Sequence, residues 1–198
     1  MNSGDWARTS ASQIKTFVSC PRKWWRESVA GERPPPSRAA LRGQKIHAEL
    51  ERYLGEGEPV QDGTAHALTH LLPPAGTVST DQIEVEFLFT PDGWPCPIKG
   101  FVDVAFPAHN LIIDHKTTSN LKWALTERAA RRDPQVIAYI AAAQAGLLGS
   151  FDTGEVEFRL QYATTQGAVK TQIVSISMGP EEIAREIDRL KTIVQSQY

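Results

Sequence analysis

Five stretches of this chain read as β-strands, and where the helical stretches fall between them limits the architectures open to it. Ile83-Glu-Val-Glu-Phe-Leu-Phe89 alternates apolar and polar residues and is closed by Pro91-Asp-Gly93. Strand signals follow at about 98–106 and 111–117, separated by Pro107-Ala-His-Asn110. Two more, at about 156–164 and 169–177, flank the turn at Gln166-Gly167. Helices fill the gaps. Ser10-Ala-Ser-Gln13 is a capping box before Ile14, Phe17 and Val18, and Pro21 ends that helix. Ser37 caps a second helix to about residue 54, with Leu41, Ile46, Leu50, Tyr53 and Leu54 facing the core. A short helix is expected near 64–72. Asp133-Pro134 starts an alanine-rich helix, and Pro180 opens the last one. The order of helix, helix, three strands, helix, two strands, helix predicts a mixed α/β layer architecture.

Composition narrows the class further. A length of 198 residues fits one domain, and 41% hydrophobic residues exclude wholesale disorder. No apolar run approaches the ~18 residues of a membrane span. Residues 1–8 carry no apolar signal core, so secretion is not expected. Two cysteines, Cys20 and Cys96, can build neither a disulfide framework nor a four-cysteine metal site. These features together predict a reduced, cytoplasmic setting. With 21 Lys+Arg against 23 Asp+Glu the net charge is −2, which argues against coating nucleic acid by bulk charge but leaves room for a local basic surface.

The hairpin from Gly100 to Thr117 concentrates the chemistry. If its loop is residues 107–110, Phe106 faces Leu111, Val104 faces Ile113, and Asp103 faces Asp114. Directly opposed residues have Cβ atoms only ~4.5–5.5 Å apart. Two carboxylates that close repel, and a divalent cation between them removes the penalty. Alternation puts Lys116 on the face of Asp114, while Val102, Val104, Phe106, Leu111 and Ile113 form an apolar opposite face. The carboxylates would hold Mg²⁺ or Mn²⁺ beside a phosphate, and Lys116 would position water or stabilise developing charge. A surface hairpin with an ordinary salt bridge satisfies the same pattern.

Four motifs in order extend this reading. Gly100-Phe-Val-Asp103 with Ile112-Ile-Asp-His-Lys-Thr117 resembles the catalytic core of PD-(D/E)XK nucleases, most closely their RecB-like domains. The helix motif G-x-x-x-H-x-x-L-E is matched by Gly43-Gln-Lys-Ile-His47-Ala-Glu-Leu50-Glu51, and Q-x-x-x-Y by Gln135-Val-Ile-Ala-Tyr139. The N-terminal pattern S-x-S-Q-I-x-x-F-x-x-C-P-R-K is matched from Ser10 to Lys23. The resemblance implies a restriction-endonuclease-like core, a mixed central β-sheet flanked by helices, in a single domain over 1–198. The helical segment 10–55 would contribute the motif helix.

By the same resemblance His47, Asp103 and Asp114 bind metal, with the backbone carbonyl of His115 as a further ligand and Lys116 as the catalytic lysine. Gln135 and Tyr139 line the site or contact DNA. Glu51 matches the helix motif but could equally pair with Arg52 or Lys45. Glu86 shares its strand and parity with Glu84, and one of the two faces solvent. The imidazole suits Mn²⁺ better than Mg²⁺. Related CRISPR-associated exonucleases hold an iron–sulfur cluster on four cysteines. Here Cys20-Pro21 keeps the first of these and no cysteine follows Cys96, so no cluster is expected and Cys20 reads as a small buried residue at a helix end.

Other features carry plainer readings. His66 and His70, at i and i+4 without an acidic partner, fit a solvated helix better than zinc. Arg22, Lys23 and Arg26, then Arg38, Arg42 and Lys45, then Arg128, Arg131 and Arg132 are either solvated faces or phosphate contacts. Trp24 and Trp25 could stack on bases, but at least one should be buried. No phosphate-binding Gly-x-x-x-x-Gly-Lys-Ser/Thr loop is present, so a helicase or recombination partner would act in trans. The function expected is a bacterial or phage-encoded metal-dependent deoxyribonuclease, an exonuclease on single- or double-stranded DNA ends. The alternatives are an endonuclease of the same fold or a non-catalytic nucleic-acid-binding module.

Overall fold

Side-chain caps set most of the helix boundaries. Ser10 accepts from the Gln13 amide, Ser37 from that of Ala40, and Asp133 from those of Gln135 and Val136. The computed structural model describes residues 8–152 and 154–197. The opening segment, expected to lack a signal core, lies outside them up to residue 7. In chain order the elements are α1 (Ala11–Ser19), α2 (Pro21–Trp24) with a π-helical turn (Trp25–Val29), α3 (Arg38–Glu56) and α4 (Gly63–Thr69). Then come β1 (Ile83–Phe89), β2 (Ile98–Phe106), β3 (Leu111–Thr118), α5 (Glu127–Ala130) and α6 (Pro134–Gln144). β4 (Val156–Thr164), β5 (Thr171–Met178) and α7 (Pro180–Gln195) complete the chain. Pro21 ends one helix and, as the first residue of α2, begins the next.

The strands form one sheet in the order β1-β2-β3-β4-β5, with every neighbouring pair antiparallel except β3 and β4. That parallel pair needs a crossover, which α5 and α6 supply. α6 is buried from Val136 to Ala143, as an apolar, alanine-rich helix packed on several sides must be. Its core includes Ala105, Ile112, Phe158, Leu160 and Leu190. α3 and α4 cover the other face, where Ile46, Leu50, Ala65 and Leu68 meet Ala163, and Leu54 meets Val104 and Ile113. Among the described residues no helix is long and apolar enough to cross a membrane.

Several expected core positions lie elsewhere. Leu41 is exposed, because five residues from Ile46 is about 140° around a helix and off the Ile46–Leu50–Leu54 stripe. Val18 is exposed as well, while Phe17 turns to make an edge contact with the buried Trp24 at 5.2 Å. Trp25 stays exposed. Cys20 is exposed rather than buried: its Sγ accepts from the Lys23 amide at 3.4 Å, capping α2 instead of filling a core. Cys96 is buried.

The sheet opens at the level where Asp103 is expected to face Asp114. β2 and β3 pair as Phe106 with Leu111, Ala105 with Ile112 and Val104 with Ile113, and the ladder stops there. The next pair would be Asp103 with Asp114. Instead, the Asp103 carboxylate takes the His115 amide at 2.6 Å, filling a place where a backbone acceptor would sit in a regular ladder. The face assignment breaks at the same level. Val102 belongs to the core under α6 and Val104 to the core under α3, although they are two residues apart. In β1, Ile83 and Val85 divide in the same way around Glu84, whose φ is +48°. One left-handed residue in the strand re-aims the side chains on both sides of it.

Candidate active site

The opening between β2 and β3 gathers polar groups from both faces of the sheet. From the α3 side comes His47, whose Nδ1 lies 3.4 Å from Asp103 Oδ2. α3 can approach this closely because Gly43, one turn before His47, has no Cβ: one placed there would lie 3.0 Å from Thr117 Oγ1 at the end of β3. His115 also points to this side, edge-on to His47 with ring centroids 5.9 Å apart, and neighbours Gln161 on β4. Burial chiefly pushes the His115 imidazole down to about 4, so the ring is neutral near pH 7.

From the α6 side come Asp114 and Lys116, two apart on β3. Lys116 Nζ lies 2.6 Å from Asp114 Oδ2 and donates to Gln135 Oε1 at 3.0 Å. Gln135 Nε2 in turn donates to Asp114 Oδ1 at 2.7 Å and to the Tyr139 hydroxyl at 3.1 Å. One amide therefore fixes the geometry of the lysine–carboxylate pair. Tyr139 fits against the sheet because Gly100 leaves space: a Cβ there would meet the Phe87 ring at 2.5 Å and Tyr139 at 3.0 Å.

A third acid joins from β1. One ligand atom each from His47, Glu84 and Asp103 lies within 4.8 Å of the others. Sequence parity could not choose between Glu84 and Glu86. The structure puts Glu86 outside, exposed and 2.6 Å from Lys99, while the positive φ of Glu84 directs its half-buried carboxylate to the site. No sequence signal announces a left-handed glutamate inside a strand. Glu51 is exposed on α3, and its charge acts on Glu84. The alternative partners named for it are engaged elsewhere, Lys45 with Glu49 and Arg52 with Glu58.

The electrostatics show a site short of positive charge. Burial pushes the Asp114 carboxyl up to about 6; Lys116 opposes this and Asp103 adds to it. Glu84 is raised by burial and then by the charges of Asp103 and Glu51. Burial would raise Asp103 too, but the His47 hydrogen bond and charge, with Lys116 behind them, hold it below its ordinary value. His47 loses by burial and gains more from Asp103, ending above its ordinary value. Lys116 stays a firm ammonium, because Asp114 and Asp103 outweigh the cost of its burial. Hard oxygen donors with one imidazole fit a Mg²⁺- or Mn²⁺-sized cation, whose charge would relieve the crowded carboxylates. Asp114 lies outside the converging trio, turned toward Lys116 and Gln135.

The other basic clusters are partly engaged. Arg26 pairs with Glu32, Arg42 with Asp62 and the Thr165 carbonyl, and Arg131 with Glu182. His66 and His70 lie exposed on and just after α4, with rings 5.2 Å apart.

Comparison with known proteins bears on this arrangement. No curated protein matches the sequence significantly. Among solved structures, a candidate exonuclease from Eubacterium rectale superposes with a TM-score of 0.62 at 13% identity, covering 97% of this chain and 83% of its own. The crystal structure of SSO0001 superposes with a TM-score of 0.50 at 14% identity, covering 97% of this chain and 79% of its own. At such identities these likenesses bear on the fold alone. The family profile of the PD-(D/E)XK nuclease superfamily matches residues 8–75 and 71–197. With a profile match across nearly its whole length and the mixed, helix-flanked sheet of that fold, the chain belongs to the PD-(D/E)XK nuclease superfamily.

Proposed function

We propose that this protein is a divalent-metal-dependent deoxyribonuclease, hydrolysing phosphodiester bonds as an exonuclease in recombination, repair or phage DNA processing. One observation carries the reading: the convergence of His47, Glu84 and Asp103 within 4.8 Å, across the sheet opening from an ammonium paired with Asp114. His47, Asp103 and Glu84 would hold the cation, with Asp114 and the His115 carbonyl completing the set, and the imidazole favours Mn²⁺ over Mg²⁺. A cation held there supplies Lewis-acid activation of the phosphodiester and of the attacking water.

The chain's own residues do the rest. Lys116 places a fixed positive charge where the phosphoryl oxygens gain negative charge. Gln135 keeps that ammonium from swinging away, since its Oε1 accepts from Nζ while its Nε2 holds Asp114. His115 is buried, and that burial lowers its basicity, which makes it a poor general base. Preference for ends is supported by the RecB-like motif set and by the fold shared with a candidate exonuclease. A helicase or recombination protein supplying ends in trans belongs to the same proposal.

The test compares degradation of linear single- and double-stranded DNA and of circular DNA, with Mn²⁺ or Mg²⁺, by wild type, Asp114→Ala and Lys116→Ala. Metal-dependent loss of linear DNA by wild type alone is expected. Cleavage of the circle assigns an endonuclease. If wild type binds DNA yet cleaves no more than the variants, the protein is a binding module and the enzymatic reading fails.

A further inference from the structure

A cleft of about 830 Å³ opens beside Gln135 and Tyr139 and runs between the first turn of α1 and the start of β2. We propose that this cleft holds the unpaired strand of the nucleic acid next to the scissile phosphate, with one phosphate at the α1 N-terminus and one base on Phe101. The inference rests on the nuclease reading and adds to it the surface that grips the substrate.

Phe101 is the first observation. It is 45% exposed, although it lies in β2 directly before the fully buried Val102. Lys99 Nζ stands over the ring, 5.0 Å from its centroid, so a cation and a half-exposed aromatic ring are presented together. Bases inside a duplex already have both faces covered by their neighbours, and an open ring on a protein is matched by a base that is out of the stack.

The α1 N-terminus is the second. Ser10 caps the Gln13 amide, which leaves the Ala11 and Ser12 amides of the first turn without an intrahelical partner. Beside them Thr9 lines the cleft, only 2% exposed, and among the described residues its buried hydroxyl has no hydrogen-bond partner. A buried hydroxyl without a partner is rare and costly. A phosphate oxygen is the acceptor that both groups lack. Arg33 also lines the cleft, and among the described residues its side chain engages only through Nε, on the Glu27 carbonyl, so its terminal nitrogens can fork onto a second phosphate. Lys15 and Lys99 are already paired with Asp133 and Glu86 and contribute background charge more than direct contacts.

The cleft also leads to the chemistry. Gln135 and Tyr139 line it and at the same time hold the Lys116–Asp114 pair. A strand stacked on Phe101 and anchored at Thr9 would pass those two side chains on its way to the sheet opening.

Two measurements test this on the full chain. In the Lys116→Ala background with metal chelated, fluorescence anisotropy reads the affinity for a labelled single-stranded oligonucleotide and for a blunt duplex. Phe101→Ala is expected to weaken single-strand binding by about tenfold, within the range of one lost base–aromatic stack, and Phe101→Trp to restore it. Arg33→Ala and Thr9→Val should weaken it too, with Arg33→Ala flattening the salt dependence. In the otherwise unsubstituted enzyme, the ratio of oligonucleotide hydrolysis to hydrolysis of a nitrophenyl ester of thymidine monophosphate should fall about tenfold on Phe101→Ala. Wild-type affinity and ratio in all three variants would overturn the cleft, and an equal loss on the blunt duplex would overturn its single-strand character. Failure of the wild type to hydrolyse either substrate would overturn the nuclease reading instead, and anisotropy would still decide the cleft.

Discussion

Glu84 should cost the protein stability and return it as metal affinity, and Glu84→Gly separates the two. A non-glycine residue at φ +48° carries about 1–2 kcal/mol of backbone strain. Glycine removes that strain but loses about 0.5–1 kcal/mol to the freer unfolded chain. Glu84 is also raised by burial and by neighbouring acids, so its ionised form is disfavoured in the fold at pH 7, and removing it adds to the gain. The net is about 1 kcal/mol of stabilisation without metal, or about 2–4 °C in Tm for a domain of this size. Glu84→Gln keeps the strain and loses only the charge, so its rise should be smaller.

With Mn²⁺ present the ranking reverses. At a hundredfold excess over Kd the wild type gains about 2.7 kcal/mol from binding. Losing a ligand costs at least the 10–100-fold typical of outer-shell partners, which leaves about 0.4–1.4 kcal/mol at the same concentration. Thermal melts of the three proteins in EDTA and in Mn²⁺, with calorimetric titration of the metal, read both halves. Melting of Glu84→Gly below wild type in EDTA would refute the strain argument. A metal-induced shift in both variants as large as the wild type's would remove Glu84 from the site.

Other outcomes follow from the same geometry. Asp114, pushed up to about 6, is protonated below that value, so Mn²⁺ affinity measured by calorimetry should fall as the pH drops through about 6, and more metal should move the limb lower. Glu49 Oε2 accepts from the Gln61 and Asp62 amides at 2.8 Å each and ties α3 to the loop before α4. Glu49→Gln should cost about 1–3 kcal/mol near pH 7 in a denaturant titration. Those amides hold the Glu49 pKa below its ordinary value, so its stabilisation is present above the usual carboxylate range and lost as the pH falls through the lowered value, where variant and wild type converge. Gly100→Ala places a methyl 2.5 Å from Phe87, and should cost about 1–3 kcal/mol in the same titration and lower turnover by shifting Tyr139.

Much of this was readable from local chemistry. Ser10, Ser37 and Asp133 announced their helices because a cap is decided within three residues. The hairpin register was readable because its loop length sets it, and the pairs Val104–Ile113 and Phe106–Leu111 form as expected. What alternation could not show is where a ladder ends. The Asp103–Asp114 pair does not form because a side chain replaces the backbone acceptor at His115, a choice made by the three-dimensional surroundings of Asp103. At the same level Val102 falls in the other core, and the positive φ of Glu84 selects it over Glu86. His47, Asp103, Asp114, Lys116, Gln135 and Tyr139 do come together, yet the division of the site into a trio on one side and a lysine pair on the other was not legible in their spacing.

Asp133 gives this chain an unusual dependence of late residues on early ones. Its Oδ1 caps α6 at Gln135 and Val136, while its Oδ2 meets Lys15 of α1 at 2.8 Å. A single carboxylate thereby couples a helix near the start of the chain to the orientation of the amide that aligns Lys116. Loss of the ammonium at residue 15 would be felt at residue 135, so the N-terminal helix and the helix that carries Gln135 share one support.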